Sequence, residues 1–266
     1  MPSGKPPEGG GFRQSGRRTL AEIALVLIPI VLVVMSFRSC HEALTDAIVA
    51  RIPTSTDQTV GHALAEAQRR EHTAGTSTDR AEVERTQRAF NDVVAVLTPT
   101  ERAALPGLRV TLLRDETPNA FALPGGEVFV FTGLLIRLRD DDAALRGVLA
   151  HELGHAVRRH GMRRLVGSQL LAIASSVLLG DIAGASSQVV AVAAGLEGLR
   201  YGRAMEDEAD SFGAELLARR GETPEGLVRF FESLGPQPVP TLLSTHPDPV
   251  ERARVLRARM QRSTQR

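Results

Sequence analysis

The sequence predicts an α+β domain, predominantly helical, with one small sheet beside a central helix and a single apolar helix ahead of it. Apolar residues recur at helical spacing through most of the chain. Only three short runs, residues 110–113, 121–123 and 128–131, read as strands, and they sit close together. Pro118-Asn119 and Pro124-Gly125-Gly126 supply the turns between them. Residues 20–37 form an almost continuous apolar run far from that sheet.

The N-terminal region is organised differently from the rest. Residues 1–19 are rich in Gly and Pro, carry Lys5, Arg13, Arg17 and Arg18, and read as a disordered basic tail. The apolar run is interrupted chiefly by Glu22 and Pro29. As a helix its roughly 18 residues reach about 27 Å, enough to cross a bilayer core. The basic flank is expected to stay in the cytoplasm, placing the following domain outside, on the periplasmic side. No small-residue cleavage site follows, so the run reads as an uncleaved signal anchor, a single-pass span in the cell membrane. Arg17-Arg18 lacks the flanking residues of a twin-arginine signal. Cys40 is the only cysteine and cannot form an internal disulfide; Phe37-Arg38-Ser39 before it is no lipid-attachment site. Residues 38–54 read as a linker, 55–262 as the main domain and 263–266 as a tail.

Within that domain, residues 56–71 and 78–97 show helical periodicity with Ser, Thr and Asp caps, separated by a polar turn over 73–77. Residues 224–234 and 249–260 are two further helices. His62 and His72, in the first of these, are expected to face solvent. Residues 165–196 form a second apolar stretch whose halves, 165–179 and 182–194, meet at Gly180-Asp181. Each half is short for a span and rich in Ala, Ser and Gly, which suit close helix packing. A helical hairpin that packs on the domain or dips into the membrane surface is expected.

The strongest local pattern is His151-Glu152-Leu153-Gly154-His155. On a helix, residues i and i+4 share a face, so both imidazoles can point at one ion. Glu152 flanks them and can reach a water on that ion, the arrangement of a zinc peptidase. A helix is expected here because Asp140, Asp141 and Asp142 offer an N-cap. Ala143, Leu145, Val148, Leu149 and Leu153 offer an apolar stripe. A solvated helix with two surface histidines is the competing reading.

Catalytic zinc takes three protein ligands. The best third ligand lies in Arg203-Ala-Met-Glu206-Asp-Glu-Ala-Asp210, where Glu206 and Asp210 are one turn apart. Glu206 is the predicted ligand and Asp210 the acceptor for the free N–H of a ligand histidine. Glu208 lies about 200° around the helix from Glu206 and cannot join it. An acidic, solvated helix start is the alternative. The metzincin pattern fails, because it needs Gly and His where Arg158 and Gly161 stand. His160 reads as a helix-end histidine near the C-terminal dipole.

Together with Asn119-Ala-Phe-Ala-Leu-Pro-Gly-Gly126 and Ser244-Thr-His-Pro247, these segments resemble the membrane-associated zinc metallopeptidases of the HtpX-like and CAAX-prenyl-protease gluzincins. The single short N-terminal apolar segment looks more like the BepA and LoiP branch. The resemblance covers roughly residues 55–262. Gly202 departs from it, since such proteins often carry Ser between Tyr201 and Arg203, but no proposed ligand is lost. The resemblance implies one Zn²⁺ per chain held by His151, His155 and Glu206, Glu152 as general base, and cleavage of misfolded or misassembled envelope proteins.

Tyr201, the only tyrosine, and Arg203 are candidates for an oxyanion donor, against ordinary packing and ion pairing. His246 stands just before Asp248-Pro-Val-Glu251, which reads as a helix start. From there it could reach the zinc's open position and hold the enzyme latent, or merely pack the last helix. Extended substrates pair with strand edges without demanding sequence, and Asn119, Ala120, Phe121 and Ala122 form the candidate edge. A net charge of +1, no Trp and a single Tyr argue against nucleic-acid and carbohydrate partners. Two rivals remain: a secreted soluble peptidase, and a non-catalytic chaperone or scaffold stabilised by zinc. Glu152 argues against the latter, since structural zinc has no use for a water-activating carboxylate.

Overall fold

Two units make up the chain, Met1–Ala47 and Ile48–Arg266. The structure is a computed structural model that describes residues 12–72, 75–76, 79–179, 201–234, 246 and 248–264. The first unit is carried by α1, Phe12–Val49, a helix of 38 residues. It outruns the predicted apolar segment at both ends, so residues 12–19 and 38–49 are helical where the sequence reads as tail and linker. Neither stretch contains proline, and Pro29 lies inside the helix without ending it. By length and composition Leu27–Val49 could cross a membrane, with mean hydropathy 1.5. Leu25, Ile28, Val33 and Met35 are all more than half exposed along it.

The second unit opens with α2 (Thr54–Glu71), α3 (Arg80–Val94) and α4 (Pro99–Ala103). Asp79 caps α3 by accepting from the Glu82 N–H. Thr98 and Glu101 form a reciprocal capping box around α4, with Pro99 in its first turn. The sheet follows: β1 (Arg109–Leu113), β2 (Ala120–Ala122) and β3 (Glu127–Phe131), in the order β1-β3-β2. β1 runs parallel to β3 and β2 antiparallel to it. Alternation along the strands divides the core. Leu112, Ala120, Ala122, Val128 and Val130 face the main helical core, whereas Leu113, Phe121, Phe129 and Phe131 pack with Leu64 and Ala65 of α2. β3, paired on both sides, is buried throughout. His72 is not the solvated residue the sequence suggests. It packs against Phe131, with ring centroids 4.9 Å apart, and its Nε2 lies 3.4 Å from Asp115. His62 is exposed.

Next come α5 (Thr132–Leu138), α6 (Asp142–Val157) and α7 (His160–Leu179). Asp141 caps α6 through the Ala144 N–H at 2.9 Å. The first half of the predicted hairpin, residues 165–179, lies in α7; the second half, 182–194, falls outside the described residues. The unit closes with α8 (Arg203–Arg219), α9 (Glu225–Leu234) and α10 (Pro249–Thr264).

α6 is the hub. It is buried almost all the way round, as a helix enclosed by other elements must be. It meets α8 at backbone distance through two glycines. A Cβ on Gly154 would stand 2.8 Å from the Ala209 carbonyl oxygen, and one on Gly213 would stand 3.0 Å from the His151 nitrogen. Both neighbours are main-chain atoms and cannot rotate aside. Gly154→Ala is therefore expected to force α6 and α8 apart and cost about 1–3 kcal/mol, measurable by chemical denaturation. Wild-type stability in that variant would show that the two helices are not held at this spacing.

Candidate metal centre

The α6–α8 contact places the acidic residues of one helix against the histidines of the other. His151, Glu152 and His155 face inward from α6, and Glu206 and Asp210 from α8, each at most 3 % exposed. His246 joins them from the segment before α10. One ligand atom from each of His151, His155, Glu206 and His246 can be chosen so that all lie within 4.8 Å of one another.

The separations fall within a few tenths of an ångström of a tetrahedral donor set. Bonds of about 2.0–2.2 Å to zinc require donor atoms about 3.3–3.6 Å apart. His151 Nε2 and His155 Nε2 are 3.0 Å apart, and the Glu206 carboxylate oxygens lie 3.6 and 3.7 Å from them. His246 Nδ1 stands 3.0 Å from Glu206 Oε1 and 3.4 Å from His151 Nε2. Imidazole lone pairs that converge in a buried site repel one another unless they share a cation. Two nitrogens, one carboxylate and a further nitrogen are zinc's preferred chemistry. The residues fit the ion.

A layer of partners holds these side chains. Asp210 Oδ1 lies 2.9 Å from His151 Nδ1, leaving Nε2 to face the cluster. Arg252 of α10 grips both carboxylates. Its Nε and Nη2 donate to the two Asp210 oxygens at 2.8 and 2.6 Å, and Nη1 lies 2.7 Å from Glu206 Oε2. The Phe231 ring lies under its guanidinium at 4.1 Å. Burial alone pushes the Asp210 carboxyl up, but Arg252 outweighs it and holds the group well below the usual carboxylate range. Glu206 is likewise raised by burial and brought below its usual value by His246 and Arg252. Glu152 is pushed upward by burial, which the nearby charges of His246 and His151 only partly offset. Its Oε2 accepts from the Ala122 N–H at 3.0 Å.

Tyr201 is buried and stacks on His155, with centroids 3.9 Å apart and planes at 24°. The Arg164 guanidinium lies over its ring at 4.2 Å. Burial pushes its hydroxyl up to about 12, so it stays protonated. Arg203 shows the ion pairing that was the alternative for it. Its side chain is exposed and donates to Asp248 at 3.0 Å, while Arg252 stands beside Glu206. His160 departs from expectation. It opens α7 instead of ending α6, is fully buried, and lies 2.9 Å from His155. Burial lowers its pKa to about 4, which keeps the ring neutral.

Of the predicted substrate edge, β2 is an edge strand in the sheet order. Asn119, Phe121 and Leu123 bond inward to β3, which turns the Ala120 and Ala122 main-chain groups outward. Asn119 itself caps the Ala120 N–H through its side chain. Ser244, Thr245 and Pro247 fall outside the described residues. A cavity of about 400 Å³ is lined by Glu206 together with Arg203, Asp207, Asp248, Glu251 and Arg252. Sequence reasoning missed Arg252, His160 and Glu208. Arg252 had one signal, its place beside the buried stripe of Ala253 and Leu256.

Comparison with known proteins agrees with this geometry. Residues 83–260, more than half of the chain, match Peptidase family M48. The chain is 34 % identical over 149 residues to metalloprotease YcaL of Escherichia coli, covering 53 % of this chain and 58 % of that protein. It is 36 % identical over 150 residues to the mitochondrial metalloendopeptidase OMA1 of Arabidopsis thaliana, covering 55 % and 30 %. It is 34 % identical over 156 residues to the beta-barrel assembly-enhancing protease of Yersinia pestis, covering 53 % and 32 %. Less than two thirds of each of these relatives is therefore matched. A buried His-His-Glu cluster on the α6–α8 contact and a match running from α3 into α10 lead to one conclusion: the chain belongs to peptidase family M48.

Proposed function

We propose that the protein is a zinc metalloendopeptidase that hydrolyses peptide bonds in misfolded or misassembled envelope proteins. The observation that carries the reading is Glu152, a buried carboxylate placed directly beside the converged donors of His151, His155 and Glu206. Those three residues would hold the ion. Bound zinc supplies Lewis acidity, bringing the pKa of water to about 7 and polarising the scissile carbonyl.

Glu152 takes the proton of the attacking water and returns it to the leaving amine nitrogen. Burial suits it to both tasks, because a carboxyl raised above its usual range holds a proton more readily. The substrate main chain pairs with the outward groups of Ala120 and Ala122 on β2, and so displaces Glu152 from the Ala122 N–H. Release of that bond frees Oε2 for the water. Tyr201 braces the His155 ring through stacking, a contact that supports an orienting role for it.

His246 acts as a latch. Its Nδ1 lies among the other donors, and its Nε2 is buried without a hydrogen-bond partner, 3.7 Å from Glu152 Oε1. Burial lowers its pKa, but Glu206 and Glu152 more than offset that and draw it upward, so the ring is held by the same carboxylates that serve catalysis. Peptide binding must move it. Helix α1 anchors the chain in the cell membrane, and the basic residues before the apolar run favour a catalytic unit on the periplasmic side.

Glu152→Gln is expected to load zinc fully while casein cleavage falls at least about 100-fold, the usual contribution of a general base. Equal cleavage by both forms, with zinc content measured for each, would refute the mechanism. His246→Ala is expected to raise cleavage of unfolded protein and weaken zinc binding; if neither changes, His246 is not a latch.

A further inference from the structure

A metal-binding imidazole has a second ring nitrogen, and the bond made there decides which nitrogen faces the ion. For His151 that bond goes to the Asp210 carboxylate. For His155 it goes to another histidine, with the two Nδ1 atoms of His155 and His160 2.9 Å apart. A neutral imidazole carries one N–H and one lone pair, so one of these nitrogens must donate and the other accept. Glu208 resolves the choice. Its Oε2 lies 3.2 Å from His160 Nε2, and a carboxylate only accepts. His160 therefore carries its proton on Nε2 and offers Nδ1 as an acceptor. His155 then carries its proton on Nδ1, and its Nε2 lone pair is left facing His151 Nε2 at 3.0 Å.

The surroundings hold this arrangement in place. His160 follows Arg159, a non-glycine residue at φ 55 in the turn between α6 and α7. That left-handed conformation is strained for a residue with a side chain and persists only where neighbours enforce it. Here the Arg159 guanidinium donates twice to buried Asp57, at 2.8 and 2.6 Å, and to the carbonyls of Val49 and Ile52 at 2.8 and 2.9 Å. The turn that delivers His160 is thus clamped from outside. On its other side the His155 ring is pressed by Tyr201.

We propose that His160 and Glu208 form a hydrogen-bond wire that sets the tautomer and ring orientation of His155, making His160 a positioning residue of the metal centre. The inference rests on the reading that His151, His155 and Glu206 hold zinc, and it goes beyond that reading by assigning two residues outside both acidic and histidine ligand sets.

The test is zinc affinity by chelator competition, with the visible spectrum of the cobalt-loaded form, on the full chain and three variants. His160→Leu removes both bonds and is expected to weaken zinc binding about 10- to 100-fold and shift the cobalt bands. His160→Gln, whose amide can accept from His155 and donate to Glu208, is expected to restore most of the affinity. Glu208→Ala, at a half-exposed side chain, is expected to weaken binding by a smaller factor. Wild-type affinity and spectrum in His160→Leu and Glu208→Ala overturn the wire. So does a loss in His160→Gln equal to that in His160→Leu, which would mean packing and not bonding. Should His160→Leu fail to fold, Glu208→Ala decides alone. Failure of the wild type to bind zinc overturns the metal reading and the wire with it, whereas tight wild-type binding with indifferent variants overturns the wire alone.

Discussion

Backbone-to-backbone contact between α6 and α8 is the constraint on which the centre depends. Gly154 and Gly213 let main chains approach where any Cβ would meet a backbone atom. The carboxylates of α8 are short levers, and at ordinary helix spacing of 8–10 Å they would not reach the imidazoles of α6 while keeping partners behind them. Close approach puts Glu206 and Asp210 within reach of His151 together, one toward its Nε2 and one toward its Nδ1. The glycine between the two histidines is thus a packing device as much as a helix residue.

The second consequence is electrostatic. Three carboxylates and three histidines buried in one place cost several kcal/mol per uncompensated charge. Arg252 provides the compensation, bridging Asp210 and Glu206 from a third helix and resting on Phe231. Burial pushes all three carboxyls up; Arg252 and His151 bring Asp210 back down, His246 and Arg252 bring Glu206 down, and Glu152 stays raised. One low-dielectric environment therefore yields ionised supports and a carboxyl poised to hold a proton.

Around this, the fold uses each neighbouring element for one task. β2 presents main-chain groups toward Glu152, α9 supplies the aromatic floor, α10 brings the cation, and the turn before α7 brings His160. The elements come from separate stretches of chain, which is why a family match running from residue 83 to residue 260 is needed to enclose them all. The relatives share this region while extending well beyond what is matched.

The helical class, the three strands and the placing of a histidine pair on one face of a helix were legible in the sequence, because they follow from local periodicity, caps and the i, i+4 rule. The segment holding Glu206 and Asp210 was legible for the same reason, as a second one-turn spacing. The contacts of Arg252, His160 and Glu208 were not, nor was the partner of Arg203. These residues act across 42 to 101 positions of chain or around an unforeseen turn at Arg159, and no periodicity encodes which cation meets which carboxylate. The sequence by itself determined which side chains could bind an ion. Only the tertiary structure decided which charges and ring nitrogens would be paired behind them, because that pairing is set by the burial each group shares with its neighbours once the helices are packed.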